Sequence, residues 1–67
     1  MTDSLTFGAK LRKARKRLGK SQRAIAEQLG KTQPTINDYE SDRAHPHLRD
    51  LRSVARAYGL QPVKLIP

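Results

Sequence analysis

The chain has 67 residues, which allows one small domain and leaves little room for a catalytic cleft. Its 14 Lys and Arg residues outnumber 6 Asp and Glu, and the formal net charge of +8 is typical of a small domain that meets nucleic acid or another anionic surface. The chain has no Cys for a disulfide or a thiolate metal site, and no apolar run approaches the roughly 20 residues that span a bilayer. We therefore expect a soluble cytoplasmic protein without a membrane partner, a cofactor or enzymatic activity.

Apolar residues at helical spacing predict the first two elements. A first helix over residues 6–18 has its apolar face at Phe7, Leu11, Ala14 and Leu18. Gly19 is suited to end this helix, and Ser21 is suited to cap a second helix over residues 21–29 that closes at Gly30. The inward stripe of the second helix consists of Ala24, Ile25 and Leu29.

The third helix is predicted over residues 32–41. Thr32 is a candidate N-cap, and Pro34 is tolerated in the first turn because no intrahelical amide is lost there. Ile36 and Tyr39 form an apolar i, i+3 pair on an otherwise polar helix.

The charged, proline-containing residues 41–46 predict a loop, and a fourth helix is predicted over residues 47–58, ending at Gly59. Its apolar stripe consists of Leu48, Leu51, Val54, Ala55 and Tyr58. The final residues allow either a helical turn over residues 62–66 or extended chain. Because no useful alternating run occurs, we expect an all-α fold, a compact bundle of four or five helices in a single domain over residues 1–67.

The stretch from Gln22 to Glu40 has the features of two short helices that meet at a steep angle. Ala26 is a small residue for the contact and Gly30 stands at the corner, while the apolar anchors are Ile25, Leu29 and Ile36. Spacing of this kind is only moderately specific. The sequence of residues 7–66, however, resembles the helix-turn-helix family of phage Cro and cI-type repressors and the wider Xre-like group. The motifs that carry the resemblance are the pair Ser21 and Gln22, the positions of Ala26 and Gly30, and the pair Tyr39 and Glu40 followed by a loop that ends at Pro46.

This resemblance implies a lambda repressor-like fold in which the helix over residues 32–41 lies in the major groove of double-stranded DNA. Gln33 would be the leading base reader, because a carboxamide bonds bidentately to adenine, and Gln22 would contact a phosphate and brace Gln33. Asn37 also suits adenine, whereas Asp38 would accept from cytosine N4 or repel wrong sequences. The expected base-reading set is Gln33, Pro34, Asn37 and Asp38.

Eight basic residues and no acidic one lie between Lys10 and Arg23. Such a run usually marks only a solvated helix face, but next to a helix-turn-helix pattern phosphate contact becomes the better account. The expected phosphate contacts are Ser21, Gln22, Arg23, Thr35, Arg43 and His47.

Arg15 and Glu40 match positions that form a partly buried ion pair in several members of the family, and we expect the same structural pair here. An unpaired buried charge would be very costly. The sequence departs from the family pattern at Ala14, Lys20 and Lys31, where larger or apolar residues are usual. Leu18 would fill part of the missing volume, and the two lysines would lay their methylene stems over the core.

The sequence gives little support for a metal site, for base stacking by tyrosine or for a catalytic site. His45 and His47 flank Pro46, but the chain offers no third His at a useful spacing and no Cys to complete a zinc site. Tyr39 and Tyr58 lie on apolar stripes, which favours core packing over base stacking. The sequence has no nucleophile motif and no glycine-rich phosphate loop.

The leading hypothesis is a sequence-specific transcriptional regulator, in particular a bacterial or phage-encoded repressor that binds a pseudo-palindromic operator as a homodimer. Its dimer interface would be Leu60, Val63, Leu65 and Ile66, although these residues would serve equally well to cap the core. The alternative is an antitoxin that represses its own operon and neutralises a toxin protein, with the tail adding a strand to that partner. A third possibility is charge-driven association with nucleic acid of any sequence.

Overall fold

The computed structural model describes residues 5–61, and these form four α-helices and one turn of 3-10 helix, without a strand. The helices are α1 (Phe7–Leu18), α2 (Gln22–Leu29), α3 (Gln33–Glu40) and α4 (Leu51–Ala57), and the 3-10 turn Leu48–Asp50 leads directly into α4. The fold is therefore all-α, as predicted. The last turn suggested for residues 62–66 lies outside the described residues.

Three hydroxyl side chains determine where the first three helices begin. Thr6, Ser21 and Thr32 have extended backbones, and their side-chain oxygens accept from the amides of Ala9, Ala24 and Thr35. These contacts satisfy amides that have no partner within the helix. Each helix thus starts one residue after the predicted start, because the first predicted residue is the cap.

The segment before α4 differs from the predicted helix over residues 47–58. His47 is extended, the next three residues form the 3-10 turn, and the α-helix covers only Leu51–Ala57. Because a 3-10 turn has 3.0 residues per turn, Leu48 does not stay on the stripe of the α-helix that follows. The assignment of Leu48 to the inward face was wrong, since this residue is 75% exposed.

The core lies between all four helices. Its buried residues are Leu11, Ala14, Ile25, Ala26, Ile36, Tyr39, Val54, Ala55, Ala57 and Tyr58, with Phe7, Leu29, Ala44 and Leu60 packed partly buried against them. Leu18, which was expected to fill volume next to Ala14, is instead exposed. Its methyl groups lie over the backbone of Gly59, where an added Cβ would be 3.4 Å away.

The start of α1 crosses the end of α3 at Gly8. A Cβ at this position would lie 2.5 Å from the carbonyl oxygen of Tyr39 and 2.6 Å from that of Glu40. The backbone amide of Gly8 also donates to Asp42 Oδ1 at 2.8 Å. Hydrogen bonds from the Thr6 hydroxyl and from this amide hold the pKa of Asp42 below its usual range. The loop after α3 thus caps α1 and fixes the two helices to each other.

No helix within residues 5–61 is long and apolar enough to cross a membrane.

Candidate nucleic-acid interface

The corner between α2 and α3 is held by backbone geometry and by packing. Gly30 has φ 68°, a left-handed conformation that favours glycine, and the amide of Lys31 donates to the carbonyl of Ala26 at 2.8 Å. Ile25 and Ile36 are fully buried on the inner faces of the two helices. The angle between the helices is therefore set by residues that turn inward, which leaves the opposite face of α3 open to solvent.

That open face contains most of the predicted base readers. Gln33, Pro34 and Asn37 are exposed, whereas Asp38 is half-buried. Arg43 Nη1 lies 3.9 Å from Asp38 Oδ1, so the carboxylate of Asp38 has a cation next to it inside the chain. The exposed face of α3 thus presents the carboxamide of Gln33, the ring of Pro34 and, one turn later, the carboxamide of Asn37.

The predicted phosphate contacts lie at the start of α2, at the start of α3 and in the loop that follows α3. At the start of α2, Ser21 and Arg23 are exposed, and the guanidinium of Arg23 lies 3.5 Å from Glu27 on the same helix. Arg43 and His47 are exposed in the loop region, and no hydrogen bond within residues 5–61 joins His47 to α3. Thr35 is less available, because its hydroxyl lies 2.9 Å from that of Thr32 at the N-terminus of α3.

Gln22 does not brace Gln33 in this structure. Its Nε2 lies 3.4 Å from Asn37 Oδ1 and 3.3 Å from Glu40 Oε1, both on α3. Asn37 and Glu40 are three residues apart and therefore neighbours on the helix surface. Because these two acceptors lie beside Gln22, its amide turns toward them, and no hydrogen bond within residues 5–61 joins it to Gln33. The bracing role implied by the family resemblance stays a prediction.

A buried ion pair connects α1 with the end of α3. Arg15 Nε donates to Glu40 Oε2 at 2.8 Å and Arg15 Nη2 donates to Glu40 Oε1 at 3.0 Å, a bidentate arrangement. The side chains are only 12% and 3% exposed. The structure therefore contains the Arg15 and Glu40 pair that the family resemblance implied.

Tyr58, the residue that follows α4, belongs to the same network, which the sequence did not indicate. Its hydroxyl donates to Glu40 Oε2 at 2.7 Å, so Glu40 accepts from Arg15, Gln22 and Tyr58 at once. Tyr58 thus has both the core position expected from its apolar stripe and a polar contact. The sequence shows only that Tyr58 lies on an apolar stripe. That its hydroxyl comes close to the buried carboxylate of Glu40 depends on the fold.

The network keeps Glu40 ionised. Burial alone would raise its pKa, but the hydrogen bonds from Arg15, Tyr58 and Gln22 outweigh burial and lower the pKa below the ordinary value. The hydrogen bond to Glu40 likewise raises the pKa of Arg15. Burial, followed by the bond to this carboxylate, raises the pKa of Tyr58, which therefore stays a donor.

A polar groove of about 250 Å³ runs between α1, α2 and α3 beside this network. It is lined by Arg12, Arg15, Gln22, Asn37, Glu40 and Ser41. The exposed Arg12 adds a positive charge beside the exposed face of α3 that bears Gln33, Pro34 and Asn37, which we call the reading surface. The sequence placed Arg12 only in a basic run and did not connect it with α3.

The model of the family described as Helix-turn-helix matches residues 11–65, which is most of the chain. The chain belongs to the helix-turn-helix family. This match confirms the resemblance to Xre and cI-type proteins drawn from the motifs at Ser21, Gly30 and Tyr39, and it identifies a helix-turn-helix DNA-binding domain whose matched range includes α2 and α3.

Among solved structures, the helix-turn-helix domain is similar to the P22 c2 repressor protein, crystallised in complex with the synthetic operator 9T. The TM-score is 0.86, and the match covers 94% of this chain and 96% of the repressor chain. At 24% sequence identity, this likeness shows that the two proteins share a lambda repressor-like fold.

His45, next to Pro46, packs against the start of α1. The ring of His45 meets the ring of Phe7 edge-on, with 5.4 Å between the ring centres.

Lys20 and Lys31, where the family usually has apolar residues, are half-buried, and their ammonium groups make polar contacts. Lys20 Nζ donates to Gln28 Oε1 at 2.9 Å, and Lys31 Nζ lies 3.8 Å from Asp50 Oδ2.

Proposed function

We propose that this helix-turn-helix domain is a sequence-specific transcriptional repressor that inserts the N-terminal part of α3 into the major groove of its operator. The main observation in support of this proposal is the contrast between the two sides of α3. Ile36, Tyr39 and Glu40 hold one side in the core, while Gln33, Pro34 and Asn37 are exposed on the other. A rigidly anchored helix with polar side chains at its free N-terminal end is the arrangement by which this fold reads base edges.

Phosphate contacts would hold that helix in place. Arg23 at the start of α2 and Arg43 after α3 stand on either side of the reading surface in the chain, and both side chains are more than two-thirds exposed. The net charge of +8 adds long-range attraction to DNA. Such contacts fix position and orientation, whereas Gln33, Asn37 and Asp38 would supply the choice of sequence. The similarity to a repressor solved on operator DNA supports this proposal.

The domain would act as a dimer on a pseudo-palindromic site. One recognition helix covers only a few base pairs, and two-fold dimers of this fold place their helices about 34 Å apart, one turn of B-DNA. Of the four residues proposed for the interface, Leu60 is half-buried against the core and bonds through its amide to Ala55. Val63, Leu65 and Ile66 lie outside the described residues, as does most of the tail on which an antitoxin role depends.

The test is a selection of bound sites from random DNA duplexes, followed by competition between the selected site and random duplex. Specific repressor binding predicts a palindromic consensus with half-sites about one helical turn apart. Expression of a reporter gene placed behind that site should then fall when the protein is present. Equal affinity for selected and random duplexes would contradict the proposal and leave general association driven by charge.

A further inference from the structure

The orientation of the Gln22 amide is determined by the buried carboxylate of Glu40. Gln22 Nε2 lies 3.3 Å from Glu40 Oε1, and the bidentate contact with Arg15 keeps that carboxylate ionised. An ionised carboxylate only accepts hydrogen bonds. The nitrogen of the Gln22 amide, and not its carbonyl oxygen, must therefore face Glu40.

The same nitrogen then orients Asn37. Gln22 Nε2 carries two hydrogens, and it lies 3.4 Å from Asn37 Oδ1 as well as close to Glu40. A donor must meet an acceptor, so the carbonyl oxygen of Asn37 turns toward Gln22. The Asn37 amide nitrogen consequently points away from α2, on a residue that is exposed at the reading surface.

This arrangement turns toward α2 the oxygen that an asparagine normally offers to adenine. A bidentate bond to adenine needs the amide oxygen to accept from N6 while the nitrogen donates to N7. The oxygen of Asn37 faces Gln22 on α2, so the outward edge of this amide presents its two N–H hydrogens. Guanine presents two acceptors, O6 and N7, at its major-groove edge, and these match a donor-only group.

We propose that Gln22 is a positioning residue that turns Asn37 into a hydrogen-bond donor, so that Asn37 selects guanine over adenine at one position of the operator. This inference rests on the proposed sequence-specific binding. Both hydrogens of Gln22 Nε2 face acceptors within the chain, Asn37 Oδ1 and Glu40 Oε1. A phosphate would therefore bind the backbone N–H of Gln22 at the start of α2 instead of its side chain. The orientation of the exposed Asn37 amide thus depends, through the side chain of Gln22, on the buried carboxylate of Glu40.

Site selection from random duplexes tests the proposal with four proteins: the wild type, Asn37→Ala, Gln22→Ala and the control Gln28→Ala. Asn37→Ala identifies the base position that Asn37 reads, because preference is lost there. At that position the wild type should prefer guanine over adenine by about five- to a hundredfold. Gln22→Ala should reduce this ratio at least about fivefold by freeing the Asn37 amide to turn toward adenine. Gln28→Ala removes a glutamine from the same helix that bonds Lys20, and it should leave the ratio unchanged.

The outcomes separate this inference from the proposed function. If the wild type enriches no sequence at all, the proposed function fails and the inference fails with it. If it enriches a consensus, three results overturn the inference alone: adenine at the position of Asn37, a guanine preference that survives Gln22→Ala, or no position altered by Asn37→Ala. A general loss of folding cannot imitate the expected result, because unfolding lowers affinity for every sequence alike and does not exchange one base for another. Thermal unfolding of each variant, measured in parallel, establishes that the compared proteins are folded.

Discussion

The two sides of α3 differ in whether their polar side chains make hydrogen bonds within the chain or are exposed to solvent. On the buried side, Glu40 accepts hydrogen bonds from Arg15, Gln22 and Tyr58. On the open side, Gln33 and Pro34 are exposed at the start of the helix. Under the proposed function, one eight-residue helix separates stability from recognition, and Gln22 is in contact with both sides. Substitutions on each side should therefore change different measurements.

The largest effect is expected for Arg15→Ala, which leaves Glu40 buried without its cation. Breaking such a pair from one side costs about 3–5 kcal/mol, a large part of the stability of a small domain. Unfolding by urea or heat measures the change. Arg12→Ala, which removes an exposed arginine from the same helix, should stay within about 0.5 kcal/mol of the wild type. An unchanged melting temperature for Arg15→Ala would show that the buried side does not depend on this pair.

Tyr58→Phe should lower stability by a smaller amount, about 1.5–3 kcal/mol, because it removes one hydrogen bond to a charged acceptor and keeps the ring. The free energy of unfolding from urea titration measures this loss. Tyr39→Phe is the matched control, since Tyr39 is also buried but makes no side-chain hydrogen bond within residues 5–61. If the two variants lose equal stability, the hydroxyl of Tyr58 is not a significant part of the network.

Gln33→Ala belongs to the open side and should leave unfolding almost unchanged. Loss of a bidentate base contact is expected to weaken operator binding by about 1–3 kcal/mol and to relax choice at one base position. Fluorescence anisotropy with operator and random duplexes measures both affinities. A decrease of the same size on random DNA would remove Gln33 from the base-reading set.

Arg23→Ala should have the smallest effect, because its side chain is 79% exposed and its contact with Glu27 is on the surface. We expect a uniform loss of affinity for operator and random DNA, with the slope of log affinity against log salt reduced by about one. Titrations at several salt concentrations give this slope. A change in base preference would instead place Arg23 on the reading surface.

Much of the fold could be predicted because its signals are local. Ser21 and Thr32 each cap an amide three residues ahead, so residue type and short spacing were sufficient to predict these two caps. The cap of the first helix, Thr6, was predicted as the first residue of that helix. The α2–α3 corner likewise followed from Gly30 and its apolar neighbours. Leu48 was misplaced because the predicted stripe assumed one continuous α-helix, whereas the turn before α4 is a 3-10 turn.

The sequence by itself determined the all-α class, the capped helix starts and the family, because these depend on capping, periodicity and motifs of a few residues. Only the tertiary structure decided the contacts between helices. Gln22 meets Asn37 across a separation of 15 residues and Gly8 meets Asp42 across 34, and both contacts depend on the angle and depth at which helices dock. The direction of an amide such as that of Asn37 follows from its neighbours in space, so the base it is expected to read changed from adenine to guanine once those neighbours were known.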